Sequence, residues 1–259
     1  MNIRRYAQLF LFAGALLAAA PRPARAQTDE IQVYDASIAP QGKFNLTWHN
    51  NFTPDGLKTP AFSGGIIPDR SFNGVTEWAY GATDWLELGL YLPLYSISKN
   101  HDASINGGKI RLLFVKPHAA DRTLFYGANF EFSYNAAYWE PVRFTSEIRP
   151  IFGVHLHPVD IIINPILDNS FRGGFASLDF APAARVAYNF TPKFALAVEE
   201  YSDVGPLRAV FPTQDESHGV WGVFDRSTKI GSFEGGIGFG VTPTSDKVTL
   251  KFIFSRDLN

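Results

Sequence analysis

Hydrophobic and polar residues alternate strictly where the chain reads Trp85-Leu-Glu-Leu-Gly-Leu-Tyr-Leu-Pro-Leu-Tyr95. Leucine occupies every even position from Leu86 to Leu94, whereas the odd positions are mixed and include Glu87. A period of two places all of these leucines on one face of a β-strand. Such a face is typical of a strand of about 9–11 residues that crosses a bilayer with its leucines toward lipid.

The same alternation recurs along the chain and predicts one domain, an antiparallel transmembrane β-barrel of about twelve strands. The pattern is least regular over residues 155–175, where a strand is predicted over 160–167. The other predicted strands are 43–52, 72–80, 85–95, 109–116, 124–134, 142–154, 178–188, 194–201, 220–225, 232–241 and 248–255. An even number of strands is what single-chain bacterial barrels require.

The connections between these strands differ in length. Short turns are predicted at 81–84, 117–122, 190–193 and 242–247, and longer loops at 53–70, 97–107, 135–141 and 202–218. Short periplasmic turns and long external loops are typical of outer-membrane barrels. Trp78, Tyr80 and Trp85 surround the first turn, as an aromatic girdle at a membrane boundary would.

A secreted soluble β-protein, either a sandwich or a lipocalin-like cup, is the alternative architecture. Its strands would also alternate, but with the apolar face inward. Aromatic residues at the ends of many hairpins favour the membrane barrel. Glycines on the polar face, such as Gly89, Gly127 and Gly236, favour it too, because a narrow lumen needs small residues.

The N-terminus has the three parts of a secretory signal peptide. Arg4 and Arg5 precede an apolar run from Leu9 to Ala20, and Ala24-Arg25-Ala26 supplies a cleavage site. The run is too short for a membrane-spanning helix, which needs about 20 apolar residues. We therefore expect residues 1–26 to be removed and residues 27–259 to form the barrel in the outer membrane of a Gram-negative envelope.

Composition narrows the possible functions. The signal peptide carries four arginines and no acid, so 23 basic residues fall to 19 against 25 acidic residues, a net charge of −6. No basic field remains to attract nucleic acid, so this partner is excluded. The absence of cysteine excludes disulfides and thiol chemistry. The mature chain is rich in aromatic residues yet has no apolar stretch of helix-spanning length, which a closed barrel explains.

Four stretches resemble a family of bacterial outer-membrane proteins described as transporters of the MetA (meta-cleavage) pathway of phenol degradation. They are Glu30–Tyr34, Gly42–Leu46, Glu77–Pro93 and Phe233–Phe252. The resemblance extends over most of residues 30–255 and implies export or uptake of aromatic compounds. One feature departs from the usual outer-membrane pattern. Many such barrels end on an aromatic residue that resembles the signal read by the barrel-assembly machinery, whereas the last aromatic residue here lies five positions before Asn259.

Charged residues on the polar faces are the candidate functional residues. They would face the lumen if their apolar neighbours face lipid, because charge is costly in hydrocarbon and opposite charges can pair inside. The predicted lumen-lining residues are Arg111, Glu131, Arg143, Glu147, Arg149, Asp179, Arg185 and Glu199. Two interpretations stay open: a polar lining that selects and passes a solute, or a salt-bridge plug that closes a narrow barrel.

Three other patterns are weaker indications of a binding or catalytic site. Gly236-Ile-Gly-Phe-Gly240 lacks the following helix that a nucleotide loop needs, and fits a curved strand instead. His155 and His157 share a strand face, but no third metal ligand is evident nearby. Ser217-His218 and Asp215-Glu216 have the residue types of a hydrolase, but adjacency in sequence does not place a nucleophile beside its base.

The expected function is therefore passive passage of small, aromatic or hydrophobic compounds through a porin-like channel. A structural or lipid-interacting barrel without transport is the alternative, and a membrane-embedded lipid hydrolase is less favoured. We expect no enzymatic activity, cofactor or metal. The expected partners are outer-membrane lipid, the barrel-assembly machinery and a small-molecule solute.

Overall fold

In a computed structural model, which describes residues 29–171 and 174–258, the chain forms a closed antiparallel β-barrel. The predicted signal peptide and the predicted new terminus at Gln27 lie outside the described residues. The strands are β1 Phe44–Asp55, β2 Ser71–Gly81, β3 Leu86–Ile97, β4 Ala103–Val115, β5 Leu124–Asn135, β6 Phe144–His155, β7 Val159–Asn164, β8 Leu167–Asn169, β9 Asp179–Phe180, β10 Ala183–Thr191, β11 Phe194–Asp203, β12 Ser217–Ser227, β13 Ser232–Gly240 and β14 Val248–Asp257. Short 3₁₀ helices cover Ala119–Asp121 and Phe175–Ser177, and no helix in the described ranges is long and apolar enough to cross a membrane.

The barrel closes because the first strand pairs with the last. β1 pairs with β2 on one side and with β14 on the other, and β5 pairs with β6. β7 and β8 pair with successive parts of β6. On their other side, β7 pairs with β10 and β8 pairs with β9. Pro165 and Pro182 lie at the two interruptions, where a residue without a backbone N–H cannot continue the ladder. Each interrupted pair counts as one wall strand, so the wall has twelve, and the predicted fold is confirmed.

The outer face of the barrel is apolar. On β3 Leu88, Leu90 and Leu92 point outward and are 41%, 44% and 48% exposed, whereas a shift in the strand register after Tyr91 turns Leu94 inward, where it is fully buried. Their odd-numbered neighbours Glu87 and Tyr91 point inward and are buried. This distribution is the inverse of a soluble β-protein, whose strands would bury the leucines. The predicted orientation is therefore correct for Leu88, Leu90 and Leu92 and wrong for Leu94, because the register shift interrupts the alternation.

The two ends of the barrel differ. We call the end with connections 82–85, 116–123, 156–158, 192–193 and 228–231 the turn end, and the end with connections 56–70, 98–102, 136–143, 170–178, 204–216 and 241–247 the loop end. The prediction that 242–247 belongs with the short turns was wrong. A tight turn between β12 and β13, in which Thr228 N–H donates to Gly231 at 2.9 Å, lies at the turn end. The next connection therefore emerges at the opposite end.

Residues 29–40, which we call the inner segment, lie inside the barrel. Gln41 forms a bridge with Gly81 at the turn end, whereas the carbonyl of Asp29 accepts a hydrogen bond from Asn51 deeper in the lumen. Val33 and Tyr34 are buried in an apolar cluster with inward-facing wall residues, including Leu113, Phe125 and Ile151. The sequence analysis did not predict this segment, which fills part of the lumen.

We expect Leu90→Arg to lower the free energy of unfolding by about 2–4 kcal/mol, because it would place a charge on the lipid-facing surface near the bilayer centre. Leu207→Arg is the control, since Leu207 is similarly exposed at 38% but lies in a loop, and its effect should stay within about 0.5 kcal/mol. Denaturant unfolding in phospholipid vesicles measures both. Equal effects of the two variants would contradict a lipid-facing wall.

Candidate functional site in the lumen

The inner segment divides the lumen into two cavities. The loop-end cavity has a volume of about 470 Å³, and residues 29–32 of the inner segment line it. The turn-end cavity has a volume of about 620 Å³ and is lined by residues 32–40 of the same segment. A solute that crosses the barrel therefore has to pass or displace the inner segment.

Wall side chains satisfy the backbone of the inner segment. Tyr34 N–H donates to Asn164 Oδ1 at 2.7 Å, and Asn164 Nδ2 donates back to the Tyr34 carbonyl at 3.0 Å. Nearer the turn end, Ala39 N–H donates to Glu87 Oε2 at 2.5 Å. Between them the segment turns at Ala36, where φ is +62°. Buried backbone groups need such partners, since an unpaired one costs as much as a lost hydrogen bond.

Arg111 is the centre of a first charged cluster. Its guanidinium pairs with Glu77 at 2.6 Å and with Glu87. The same group donates to the hydroxyl of Tyr34 at 3.2 Å and to that of Tyr91 at 3.1 Å. The cluster therefore joins strands β2, β3 and β4 to the hydroxyl of Tyr34 in the inner segment.

Arg149 is the centre of a second cluster. It forms a bidentate pair with Glu147 at 2.7 and 3.0 Å, and its Nη1 donates to the Gln32 carbonyl at 3.0 Å. Its guanidinium also lies 4.3 Å from the centre of the Tyr34 ring, a favourable cation–π contact. One arginine thus holds both the carbonyl and the aromatic ring of the inner segment.

Lys251 is the centre of a third cluster. Its Nζ lies 2.5 Å from Glu199 and from Glu234, and donates to the Ile31 carbonyl at 3.2 Å. Arg185 pairs with the same Glu199. Removing one partner of a buried ion pair costs about 3–5 kcal/mol, so these clusters are strong constraints on the lumen.

The structure brings most of the predicted lumen residues together. Their side chains point inward, and those of Arg111, Glu131, Arg149, Arg185 and Glu199 are buried, while those of Glu147 and Asp179 line the loop-end cavity. Arg143 departs from the expectation. It is exposed before β6 begins, and its guanidinium lies 5.9 Å from the ring of Tyr134, which points outward. The reason is that the strand alternation does not extend to residue 143.

Strand alternation as applied to the sequence did not identify several lumen residues. The charged ones include Glu77, Lys109, Glu234 and Lys251 on the wall and Asp29 and Glu30 on the inner segment. Strand alternation could have found Lys251, since it lies between the outward-facing Leu250 and Phe252. No periodic signal could have found Tyr34, because the inner segment is not part of the wall.

The glycines of β13 have a structural role. Gly236 and Gly238 face inward, and a Cβ on Gly238 would overlap the indole of Trp221 on β12. A larger residue at this position would displace that ring from the lumen wall. The prediction that these glycines lie on a strand with little space on its lumen side is therefore correct.

The histidines adopt arrangements that differ from metal and hydrolase sites. His155 Nδ1 lies 2.7 Å from Asp160, while His157 is exposed in the turn after β6. In the part of the chain that the structure describes, no group of three His, Cys, Asp or Glu side chains could hold a metal ion. Ser217 bonds to Ser245 at 2.9 Å rather than to His218.

His218 itself points outward and contacts a different serine. Its Nδ1 lies 2.7 Å from Ser202 Oγ and its Nε2 lies 3.0 Å from Glu216. The Ser202 hydroxyl is also within hydrogen-bond reach of Glu200. A nucleophile needs its base to accept its proton, and here Glu200 competes with His218 for it.

The loop-end cavity is strongly acidic. Among the described residues, two basic ones, Lys109 and Arg149, line it. Its nine acidic lining residues are Asp29, Glu30, Glu131, Glu140, Glu147, Asp168, Asp179, Asp203 and Asp246. Burial in the loop after β5 raises the pKa of Glu140 from 4.5 to about 7. The net negative potential of the cavity favours cations.

Comparisons with known proteins show the fold. No protein-family model and no curated protein sequence matches the chain. The COG4313 outer membrane channel from Pseudomonas putida F1 is similar over 88% of this chain and 100% of its own, with a TM-score of 0.55 and 14% identity. The KdgM porin in complex with disordered oligogalacturonate matches 83% of this chain and 98% of its own, with a TM-score of 0.48 and 6% identity. At this identity the first similarity shows a shared barrel fold, and the second adds no argument.

We expect Asn164→Ala to loosen the inner segment. The substitution leaves the N–H and C=O of Tyr34 without their partner, at a cost of about 1–3 kcal/mol. The segment should then open about 5- to 150-fold more often. Because the chain has no cysteine, a single Val33→Cys substitution reports this opening through its rate of reaction with a water-soluble thiol reagent.

Asn106→Ala is the matched control for this measurement. Asn106 is also a buried asparagine of the lumen, but its side chain bonds to Ser96 and Ser104 on the wall. The reaction rate at position 33 should therefore stay unchanged in this variant. An unchanged rate in Asn164→Ala as well would show that the two hydrogen bonds do not hold the segment.

Proposed function

We propose that the protein is an outer-membrane channel for small solutes and that its inner segment closes the lumen in the state described here. The observation that carries this proposal is a barrel with an apolar outer face and a polar lumen that contains two cavities on either side of one segment. The fold shared with the COG4313 outer membrane channel supports it. Residues 1–26 would direct export, and outer-membrane lipid and the barrel-assembly machinery would be its partners.

The mechanism is diffusion controlled by the inner segment. A solute enters the loop-end cavity, and passage to the turn-end cavity requires the segment to shift. The three charged clusters hold the segment through its carbonyls and through Tyr34. Water can replace each of these hydrogen bonds, and each contributes about 0.5–1.5 kcal/mol, or about 1.5–3 kcal/mol where the donor is charged. Movement of the segment therefore leaves the wall intact.

The resemblance to transporters of the MetA pathway suggests aromatic solutes. Trp139, Tyr201 and Trp221 line the loop-end cavity and provide aromatic surfaces for such a ring. A structural barrel without transport would not need two cavities of this size. A lipid hydrolase is less favoured, since Glu200 competes with His218 for the Ser202 proton.

We expect deletion of residues 29–40 to raise the single-channel conductance several-fold in planar bilayers, because the segment separates the two cavities. A synthetic peptide of residues 29–40 added to the deletion variant should lower the conductance again, whereas a scrambled peptide should not. The absence of conductance in both the full mature chain and the deletion variant would contradict a channel function.

We expect the cation selectivity of the channel to increase from pH 6 to pH 8. With its pKa raised to about 7, Glu140 is largely neutral below this range and charged above it. Reversal potentials in a KCl gradient measure the selectivity. Glu140→Gln should remove this part of the pH dependence. Asp102→Asn is the control, since Asp102 is exposed at the same end but does not line the cavity.

A further inference from the structure

We infer that the loop-end cavity binds a small organic cation and that Glu30 of the inner segment is its ammonium-binding residue. This inference rests on the proposed function, because it names the class of solute that would enter the channel. It follows from one unpaired carboxylate, from the balance of charge in the cavity, and from the size and aromatic lining of the cavity.

Within residues 29–171 and 174–258, no group donates a hydrogen bond to the Glu30 carboxylate. Its side chain is 3% exposed and lines the loop-end cavity. Neither of its carboxylate oxygens accepts a hydrogen bond from any described residue. Among the described residues, the closest basic atom is Arg149 Nη1, which forms an ion pair with Glu30 at 4.0 Å but donates its hydrogen bond to the Gln32 carbonyl. A buried carboxylate without a donor is costly, so a ligand with a cationic donor group would stabilise it.

The two basic residues of the described lining make their hydrogen bonds to other groups. Lys109 pairs with Asp29 at 2.9 Å and with Glu131 at 3.5 Å, and Arg149 pairs with Glu147. Both basic residues of the lining therefore already have carboxylate partners. The remaining acidic residues leave a negative potential that attracts cations and repels anions.

The cavity fits an organic cation better than a metal ion. The described residues contain no group of three side chains suited to a metal. A volume of about 470 Å³ lies in the range of small-molecule sites, about 300–1,000 Å³. Trp139 and Phe211 line the same cavity. Aromatic faces attract ammonium groups and pack against apolar rings.

Isothermal titration calorimetry on the detergent-purified mature chain tests this inference. The three probes share a phenyl ring with a two-carbon side chain and differ in charge: 2-phenylethylamine is cationic, 2-phenylethanol is neutral and phenylacetate is anionic. We expect saturable binding of the amine at pH 7, with the alcohol and the acid at least about tenfold weaker, which is about 1.4 kcal/mol. Equal binding of all three probes would overturn the inference.

Variants identify the binding group. Glu30→Gln should weaken amine binding at least about tenfold, whereas Glu30→Asp keeps the charge and should retain most of the affinity. Asp84→Asn is the control, because it removes the same charge at an exposed position in the turn end. Heat-shifted gel mobility verifies that each variant forms the barrel. Unchanged amine binding in a folded Glu30→Gln variant would overturn the inference.

The two proposals fail in different ways. Conductance in planar bilayers without amine binding to the wild-type chain would overturn the cation site and leave the channel. Amine binding that depends on Glu30, in a protein without conductance before or after deletion of residues 29–40, would support the site and overturn the channel.

Discussion

Strand alternation in a closed ring is the constraint on which the rest of this structure depends. Every residue of the wall faces either lipid or lumen, and neighbours along a strand face opposite ways. The leucines of β3 therefore place Glu87 and Tyr91 inside. Because closure leaves no free edge, all backbone groups of the wall can pair without water. A polar lumen inside an apolar surface follows from this geometry.

A narrow polar lumen then creates its own requirement. Charged side chains that point into it lose water, and each needs a partner of opposite charge. The wall provides most partners, as Glu147 does for Arg149. The carbonyls of the inner segment provide more, since Arg149 and Lys251 both donate to them. The charged residues that pair with one another in the lumen are thus also the residues that hold the inner segment. The two interpretations of these charges, a polar lining and a salt-bridge plug, therefore describe the same clusters.

The sequence predicted the features that depend on local periodicity. The strand number, the lipid-facing side and most of the inward charges follow from alternation, which each strand shows by itself. The inner segment was missed because its contacts lie far away in sequence, as between Tyr34 and Asn164. Arg143 was misplaced because the alternation ends where β6 begins. The connection 242–247 was grouped with the short turns because of its length, although the predicted strands 220–225 and 232–241, with a turn between them, place it at the loop end.

The inner segment is held by two kinds of contact that respond differently to water. Its hydrogen bonds to the wall can be exchanged for hydrogen bonds to water at a net cost of about 0.5–1.5 kcal/mol each, or about 1.5–3 kcal/mol where the donor is charged. Its apolar contacts have no such replacement, and exposing a buried side chain the size of Val33 costs about 1.5–3 kcal/mol. Val33 and Tyr34 pack against Leu113, Phe125 and Ile151, on the side of the turn-end cavity. The apolar contacts therefore hold the part of the segment beside the turn-end cavity, whereas charged donors hold the acidic part at the loop-end cavity, and water can replace only the second kind of contact.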